Sequence, residues 1–311
     1  MERWSSDVSL DAGLVSELVA AQFGALAGTP VRSFGSGWDH DLFSVGPEWI
    51  FRFPKRADRV PWLLREIEIL SVAGSRLGSL VPRFELIGAP SGRFRYPFVG
   101  YRRLPGIGAD QVPASGPAGL AALAADVGRL LTALHRIDPG LMPPAPAASD
   151  RGSWSAQVRA DLAAAADAVR PLLRPDVRAR AEPYLAGEVP EPPAAGPQRF
   201  LHNDLGPEHL LVDPLTGRLT GVIDFTDAMV GEAVHDFAGL IGIGGYDFIR
   251  RVTDCYDLAL AESFWAKLEW LCRTLTLTWL AEAAAGDAAA IPMHQSWVVL
   301  AFDAPFSADS G

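Results

Sequence analysis

Apolar residues in the first third of the chain change from helical to strand-like spacing. They recur at helical intervals over residues 8–27, which predicts a helix there. Short apolar runs at 31–34, 41–45 and 49–53 predict three strands, and Gly46, which is followed by proline, marks a turn between the last two. Strands joined in this way predict a small antiparallel sheet near the start of the chain.

The middle of the chain alternates amphipathic helices with proline-rich connectors. Helices are predicted over 61–78, 117–137 and 154–185 from the spacing of their apolar residues. The connectors at 139–148 and 190–197 are predicted to be loops, because proline and small residues dominate them. Neither connector is interpreted as a domain linker.

A hairpin is predicted where turn residues separate the two short apolar runs 210–212 and 222–223. Asp204 and His209 precede the first run, and Asp224 follows the second. Because a hairpin brings its two ends together, we expect this part of the chain to hold one metal ion. Asp204 can accept a proton from an attacking hydroxyl, and Asp224 offers the oxygen ligands that Mg²⁺ prefers. The pattern predicts phosphoryl transfer.

Composition narrows the class of protein. The 311 residues, 49% of them hydrophobic, suffice for two lobes. The net charge of −10 argues against nucleic-acid binding and suits a cationic small-molecule partner. Cys255 and Cys272 form no Cys-x-x-Cys pair, so we expect free thiols and no zinc site. No signal peptide and no membrane span is evident, so we expect a cytoplasmic protein without a membrane partner.

The stretch from His202 to His209, together with Asp224 in its Ile-Asp-Phe context, resembles the aminoglycoside phosphotransferase family. Its form is similar to that of aminoglycoside 2''-phosphotransferases, with macrolide phosphotransferases as relatives. The resemblance implies an α+β, protein-kinase-like fold with a small antiparallel-sheet N-lobe over residues 1–101 and a larger, mostly helical C-lobe over residues 102–311. It also implies an enzyme that uses Mg²⁺ to transfer the γ-phosphate of ATP or GTP to an alcohol group.

The resemblance assigns roles within the catalytic stretch. Asp204 is the predicted catalytic base, and His209 and Asp224 are the predicted metal ligands. Imidazole is an unusual ligand for Mg²⁺, so His209 either binds the metal directly or orients a ligand and a water. His202 is expected to hold the loop by hydrogen bonds, and Asp236 is expected to anchor the loop as a structural residue.

The predicted nucleotide contacts lie in the first third of the chain. In the resembled family the loop at 35–40 covers the phosphates, so Ser36 and Gly37 are predicted contacts. The cation that holds the phosphates is usually Lys, but the aligned residue here is Arg52, and Lys55 three positions later is the alternative. Glu66 is the predicted partner of that cation.

The segment around Tyr101 resembles the connection between the two lobes. The backbone of Arg102 and Arg103 is expected to meet the edge of the purine. Tyr101 is expected at the back of the nucleotide pocket. A bulky side chain there would disfavour adenine and accept guanine, because the two purines bind in shifted positions.

Acidic residues outnumber basic residues by twelve to four after residue 225. A polyamine requires several carboxylates around its ammonium groups, so this surplus favours an aminoglycoside as the acceptor. Asp227, Glu232, Glu269 and Trp270 are the predicted substrate contacts.

Other interpretations stay open from the sequence. Several tryptophans in the same region suit an apolar pocket for a macrolide, which would make the protein a macrolide 2'-phosphotransferase. Another small metabolite is a further possible acceptor. A noncatalytic nucleotide-binding module is the remaining alternative, and the intact Asp204 and Asp224 argue against it.

Overall fold

The structure is a computed structural model that describes residues 6–112, 117–146, 154–194 and 196–303. The chain forms two compact units. The first contains Met1–Gly106, Pro143–Ala147 and Thr220–Thr226, and the second contains the remainder. The first unit thus ends its main segment close to the predicted lobe boundary at residues 101 and 102, and it also takes two short segments from later in the chain.

The first unit combines one antiparallel sheet with two helices. Its elements are α1 (Ala12–Gln22), β1 (Val31–Ser36), β2 (His40–Val45), β3 (Trp49–Pro54), α2 (Val60–Leu77), β4 (Phe84–Gly88) and β5 (Phe98–Arg102).

The five strands lie in the order β1-β2-β3-β5-β4, and every neighbouring pair is antiparallel. Side chains alternate between the two faces of each strand. Phe51 and Phe53 of β3 are completely buried in an aromatic core with Phe98 of β5, whereas Arg52 points to the opposite face. The buried strand positions therefore fix the face on which Arg52 must lie.

The second unit is mostly helical and has short strands. Its elements are β6 (Ile107–Gly108), α3 (Pro117–His135), α4 (Trp154–Val169), α5 (Pro175–Leu185), β7 (Gln198–Leu201), β8 (Leu210–Val212), β9 (Leu219–Val222), β10 (Met229–Glu232), α6 (Val234–Ala238), α7 (Ile241–Thr253), α8 (Phe264–Gly286) and α9 (Ile291–Phe302). Strand β9 begins in this unit and continues into the first.

Helix α8 is the centre of the second unit and packs against α4, α6 and α9, while α3 packs against α7. The ring of Phe237 lies edge-on to the rings of Tyr256 and Phe264, each 5.2 Å away between centroids. Strands β7 and β10 form an antiparallel pair, as do β6 and β8. A turn closed by Asp213 N and Arg218 O joins β8 to β9.

Two predicted helices differ from the structure at their boundaries. Helix α1 begins only after Asp11, whose side chain accepts a hydrogen bond from Leu14 N at 2.8 Å as an N-cap. The predicted helix over 154–185 is interrupted after Val169, because Pro171 lacks a backbone N–H and Pro175 starts a new helix. Among the described residues, the helices lack the length and apolar character needed to cross a membrane.

Candidate active site

Arg52 and Glu66 form a buried ion pair in the first unit. Arg52 Nη1 donates to Glu66 Oε1 at 2.8 Å, and Glu66 is completely buried. Burial alone would lower the pKa of Arg52, but the carboxylates of Glu66 and Asp224 reverse that effect and raise it. Arg52 therefore stays charged. The predicted pairing of the strand cation with Glu66 on α2 is present in the structure.

The Glu66 carboxylate also binds the segment that follows Asp224. Glu66 Oε1 accepts a hydrogen bond from Phe225 N at 3.1 Å, and Oε2 accepts one from Thr226 Oγ1 at 3.2 Å. Arg52 Nη2 in turn donates to Thr226 Oγ1 at 3.4 Å. Burial raises the pKa of Glu66, and the charge of Arg52 opposes that shift. This network fixes the backbone of 225–226 against α2.

Asp224 is held in an unfavourable backbone conformation beside Arg52. Its φ of +65° lies in the left-handed region, which costs free energy for a residue other than glycine. Asp224 Oδ1 lies 3.6 Å from Arg52 Nη2, and 41% of the side chain is exposed. The carboxylate is accessible to solvent next to a fixed cation.

The glycine-rich segment at 35–40 is tied to the strands on both sides. Ser36 Oγ donates to Asp41 Oδ1 at 2.8 Å, and Gly37 N donates to His40 O at 3.0 Å. Lys55 Nζ donates to Gly37 O at 2.6 Å and lies 3.7 Å from Asp41 Oδ1. Lys55 thus reaches back to the glycine-rich segment, whereas Arg52 binds Glu66.

The end of β5 carries the predicted purine contacts. Tyr101 is buried beside Phe84, and burial raises the pKa of Tyr101 to about 12. Arg103 N donates to Glu48 O at 2.7 Å, so this amide already has an acceptor. The side chain of Arg102 forms an ion pair with Glu48.

The segment from His202 to His209 lies in the second unit and is anchored by Asp236 of α6. Asp236 is completely buried and accepts hydrogen bonds from His202 N at 3.0 Å and from Asn203 N at 2.6 Å. Asn203 has a φ of +67°, a second left-handed residue. Asp204 N approaches His202 Nδ1 at 3.3 Å. The predicted anchoring by Asp236 and the hydrogen bonding of His202 are both observed.

His135 binds Asp236 and is itself bound by Tyr256. Neither residue was predicted from the sequence to belong to the site. His135 Nε2 lies 3.0 Å from Asp236 Oδ2, and its Nδ1 lies 2.7 Å from Tyr256 Oη. Burial would raise the pKa of Asp236, but the hydrogen bond and charge of His135 outweigh it and lower that pKa. Asp236 therefore remains an ionised acceptor for the loop amides.

Asp204 and His209 are coupled through the backbone. His209 Nδ1 donates to Asp204 O at 2.6 Å, which leaves Nε2 as the acceptor nitrogen when the ring is neutral. The Asp204 side chain is 44% exposed, and its Oδ2 lies 3.5 Å from His209 Nδ1. The Asp204 carboxylate is thus accessible to solvent, whereas the His209 side chain is mostly buried.

Among the residues that the structure describes, no group of three or more His, Cys, Asp or Glu side chains is arranged to hold a metal ion. Mg²⁺ in phosphoryl-transfer enzymes is bound by one or two carboxylates together with substrate phosphates and water. The exposed carboxylate of Asp224 in the first unit has the chemistry that such a site needs.

The predicted substrate contacts lie in different environments. Glu232 Oε2 is 2.5 Å from the ammonium of buried Lys267, which also contacts Glu191 at 3.1 Å. Glu269 pairs with Arg273 at 2.5 Å. Trp270 is buried in α8, and Asp227 is exposed. Two of the predicted carboxylates therefore already neutralise cations of this chain.

A strand arginine paired with a helix glutamate, an aspartate of the Ile-Asp-Phe type and an anchored loop aspartate are the parts of a kinase-like phosphotransferase. A sequence model of the phosphotransferase enzyme family matches residues 30–271, well over half of the chain. The chain belongs to this family. The predictions of the family, the kinase-like fold and a phosphotransferase enzyme are confirmed.

Two relatives show the extent of sequence similarity. The uncharacterized protein YcbJ of Bacillus subtilis is 37% identical over 70 residues, which span 22% of each chain. Viomycin phosphotransferase of Streptomyces vinaceus is 27% identical over 205 residues, which span 63% of this chain and 67% of that protein.

Solved structures match almost the whole chain. The GDP complex of wild-type aminoglycoside 2'-phosphotransferase-IIIa has a TM-score of 0.71 at 22% identity, over 94% of this chain and 99% of the other. Macrolide 2'-phosphotransferase MphH from Brachybacterium faecium has a TM-score of 0.58 at 20% identity, over 96% and 99%. At these identities the similarity establishes the fold.

Proposed function

We propose that the protein transfers the γ-phosphate of ATP or GTP to a hydroxyl of a cationic aminoglycoside. Family membership supports the reaction class. The names of structural neighbours support the reactants, because they describe a GDP and kanamycin complex and a gentamicin complex. The net charge of −10 is suited to a cationic acceptor.

The observation that carries the proposal is the network around Glu66. One buried carboxylate accepts hydrogen bonds from Arg52, Phe225 N and Thr226 Oγ1 and thereby fixes the chain directly after the metal-binding candidate Asp224. A purely structural ion pair does not require the exposed Asp224 carboxylate at a positive φ beside it. Phosphoryl transfer does require a fixed cation and a metal carboxylate together.

We assign Asp224 to Mg²⁺ and Arg52 to the phosphates, with Ser36 and Gly37 in the loop that covers them and Lys55 holding that loop through Gly37 O. When bound, Mg²⁺ neutralises phosphate oxygens during transfer. Asp204 accepts the proton of the acceptor hydroxyl and is exposed enough to reach it. His209 would hold the metal or a water bound to it through Nε2.

For the acceptor, Asp227 is the strongest of the predicted contacts because its carboxylate is exposed. Glu232 and Glu269 are bound to Lys267 and Arg273, so their charges are already compensated. Trp270 is buried in α8, so its side chain packs within the helical unit.

Viomycin is a second candidate acceptor. The protein named viomycin phosphotransferase aligns with 63% of this chain, more than YcbJ does. A macrolide is a third candidate, since MphH and a macrolide 2'-phosphotransferase of type I share the fold.

The purified full chain should be incubated with Mg-ATP or Mg-GTP and a panel of aminoglycosides, viomycin and macrolides. A mass gain of one phosphoryl group identifies the acceptor. Michaelis constants for the two nucleotides then test the proposed role of Tyr101, and equal constants would remove Tyr101 as a purine selector. Lack of transfer to every antibiotic would reject the antibiotic proposal.

Replacing Asp204 by Asn should lower kcat by about 10²–10⁴-fold with little change in the KM for nucleotide, because a positioned base acts mainly in the transition state. The control is Asp167→Asn, since the Asp167 side chain is 98% exposed on α4. Equal turnover by the Asp204 variant and the wild type would exclude Asp204 as the base.

A further inference from the structure

His40 is a buried imidazole at the end of the glycine-rich segment, where β2 begins. Only 4% of the residue is exposed, and its Nδ1 lies 3.2 Å from Arg52 Nη2. A guanidinium has donors and no acceptor, so Nδ1 must accept this hydrogen bond. The proton of the neutral ring therefore lies on Nε2.

The Nε2–H group of His40 is buried and has no hydrogen-bond partner among the described residues. Burial, followed by the charge of Arg52, holds the pKa of His40 well below its ordinary value of 6.5. The ring is thus neutral at physiological pH and Nε2 is a donor. Native proteins pair nearly all buried polar groups, so a buried donor without a protein partner needs an acceptor from water or from a bound group.

The register of the sheet shows on which face this donor lies. His40 pairs with Pro54, and Leu42 pairs with Arg52. Residues two apart on a strand share a face, and directly paired residues share it as well. His40 therefore lies on the face of Arg52, opposite the aromatic core that contains Phe51.

The charges around His40 favour an anion as the acceptor. Arg52, Lys55 and Arg59 place positive charge near the ring, and Asp224 is the negative group among its main electrostatic neighbours. Gly37 N donates to His40 O, so the backbone of His40 closes the glycine-rich segment assigned to the phosphates. A phosphate oxygen matches both the donor and the positive surroundings.

We propose that His40 Nε2–H donates a hydrogen bond to a phosphate oxygen of the donor nucleotide, which makes His40 a phosphate-binding residue. This inference rests on the proposed phosphotransferase function. For this contact to form, nucleotide binding must uncover Nε2, which is buried in the structure. Through Nδ1 the same ring connects the phosphate to Arg52.

Two variants separate the hydrogen bond from the shape of the ring. His40→Phe retains a planar ring and removes the donor, whereas His40→Asn retains both a donor and an acceptor. Dissociation constants of Mg-ATP, Mg-GTP and GDP, and of adenosine and guanosine, are measured by calorimetry on the full chain. Circular dichroism establishes that each variant is folded.

We expect His40→Phe to weaken nucleotide binding by about tenfold or more and to leave nucleoside binding unchanged, because a hydrogen bond to a charged group is lost. His40→Asn should stay closer to the wild type. The matched control is His294→Phe in α9, whose Nδ1 is also buried without a partner. An equal loss for nucleotides and nucleosides would reduce His40 to a structural role, and wild-type affinity in His40→Phe would overturn the inference.

A measurement on the wild type remains decisive if the variants fail to fold. In ¹⁵N-labelled protein, the Nε2 proton resonance of His40 should move on addition of GDP and should not move on addition of guanosine. A resonance unaffected by GDP overturns the inference. GDP binding with this shift, but without turnover of any acceptor, would reject the proposed antibiotic function alone; failure of the wild type to bind any nucleotide would reject both.

Discussion

The backbone at Asp224 and at Asn203 is held by buried carboxylates that are distant in the sequence. Asp224 and Asn203 adopt positive φ values, which few residues other than glycine tolerate. Glu66 binds the amide next to Asp224, and Asp236 binds the amide of Asn203 itself. In each case a carboxylate holds a backbone that would otherwise relax.

Replacing Glu66 by Gln should destabilise the protein by about 3 kcal/mol, because the buried charge of Arg52 would lose its compensating carboxylate. Urea unfolding followed by tryptophan fluorescence measures the effect. The control is Glu68→Gln on the same helix, where the side chain is exposed and a change below about 0.5 kcal/mol is expected. Equal stabilities of the two variants would show that the pair contributes little.

The sequence pattern around Asp204, Asp224 and Asp236 made these residues the most predictable part of the candidate site. Asp204, Asp224 and Asp236 occur in a recognisable pattern, and the structure provides the expected anchor for the loop. The contacts of His40 and His135 were not predictable. Arg52 lies 12 positions from His40, and Asp236 and Tyr256 lie 101 and 121 positions from His135. Local spacing carries no information about such contacts.

Strands and helices agree with the periodicity of their apolar residues except where proline interrupts a helix. The predicted strands at 31–34, 41–45 and 49–53 each agree with the observed strand to within two residues at either end. The prediction of one helix over 154–185 was wrong. Its apolar spacing continues through Pro171 and Pro175, but the helical backbone is interrupted there. At such positions the missing N–H of proline decides where a helix ends, whatever the apolar spacing.

Replacement by alanine is expected to have opposite effects on stability at two glycines that lie within helices. A Cβ on Gly128 of α3 would lie 2.6 Å from Val252 O and 2.7 Å from Cys255 Cβ, which is too close. A Cβ on Gly74 of α2 would have no neighbour nearer than Val81 Cγ2 at 3.8 Å. Close approach of α3 and α7 therefore requires glycine at 128.

We expect Gly128→Ala to destabilise the protein by about 1–3 kcal/mol through overpacking. Gly74→Ala should stabilise it by about 0.5–1 kcal/mol, because alanine favours the helix and restricts the unfolded chain. Thermal unfolding of both variants tests the contrast. Similar shifts in Tm of the same sign would contradict the role assigned to Gly128.

The first unit is assembled from segments that are far apart in the sequence, so a division of the chain into two consecutive lobes does not describe it. The first unit includes Thr220–Thr226, so Asp224 folds with Arg52 and Glu66 although it follows the catalytic loop. Phe225 and Glu66 are 159 positions apart, yet they share a hydrogen bond. A division into consecutive lobes cannot reveal a unit built from separate segments.

The net charge of −10 predicts how salt should affect an aminoglycoside substrate. Raising ionic strength from about 0.1 M to about 1 M shortens the Debye length from about 10 Å to about 3 Å, so long-range attraction is screened. We expect kcat/KM to fall by about tenfold, with kcat at saturation unchanged, because steering affects encounter. A partially N-acetylated form of the same drug carries fewer charges and should lose less. Equal losses for both forms would show that salt acts on the enzyme and that the acidic surface does not attract the acceptor.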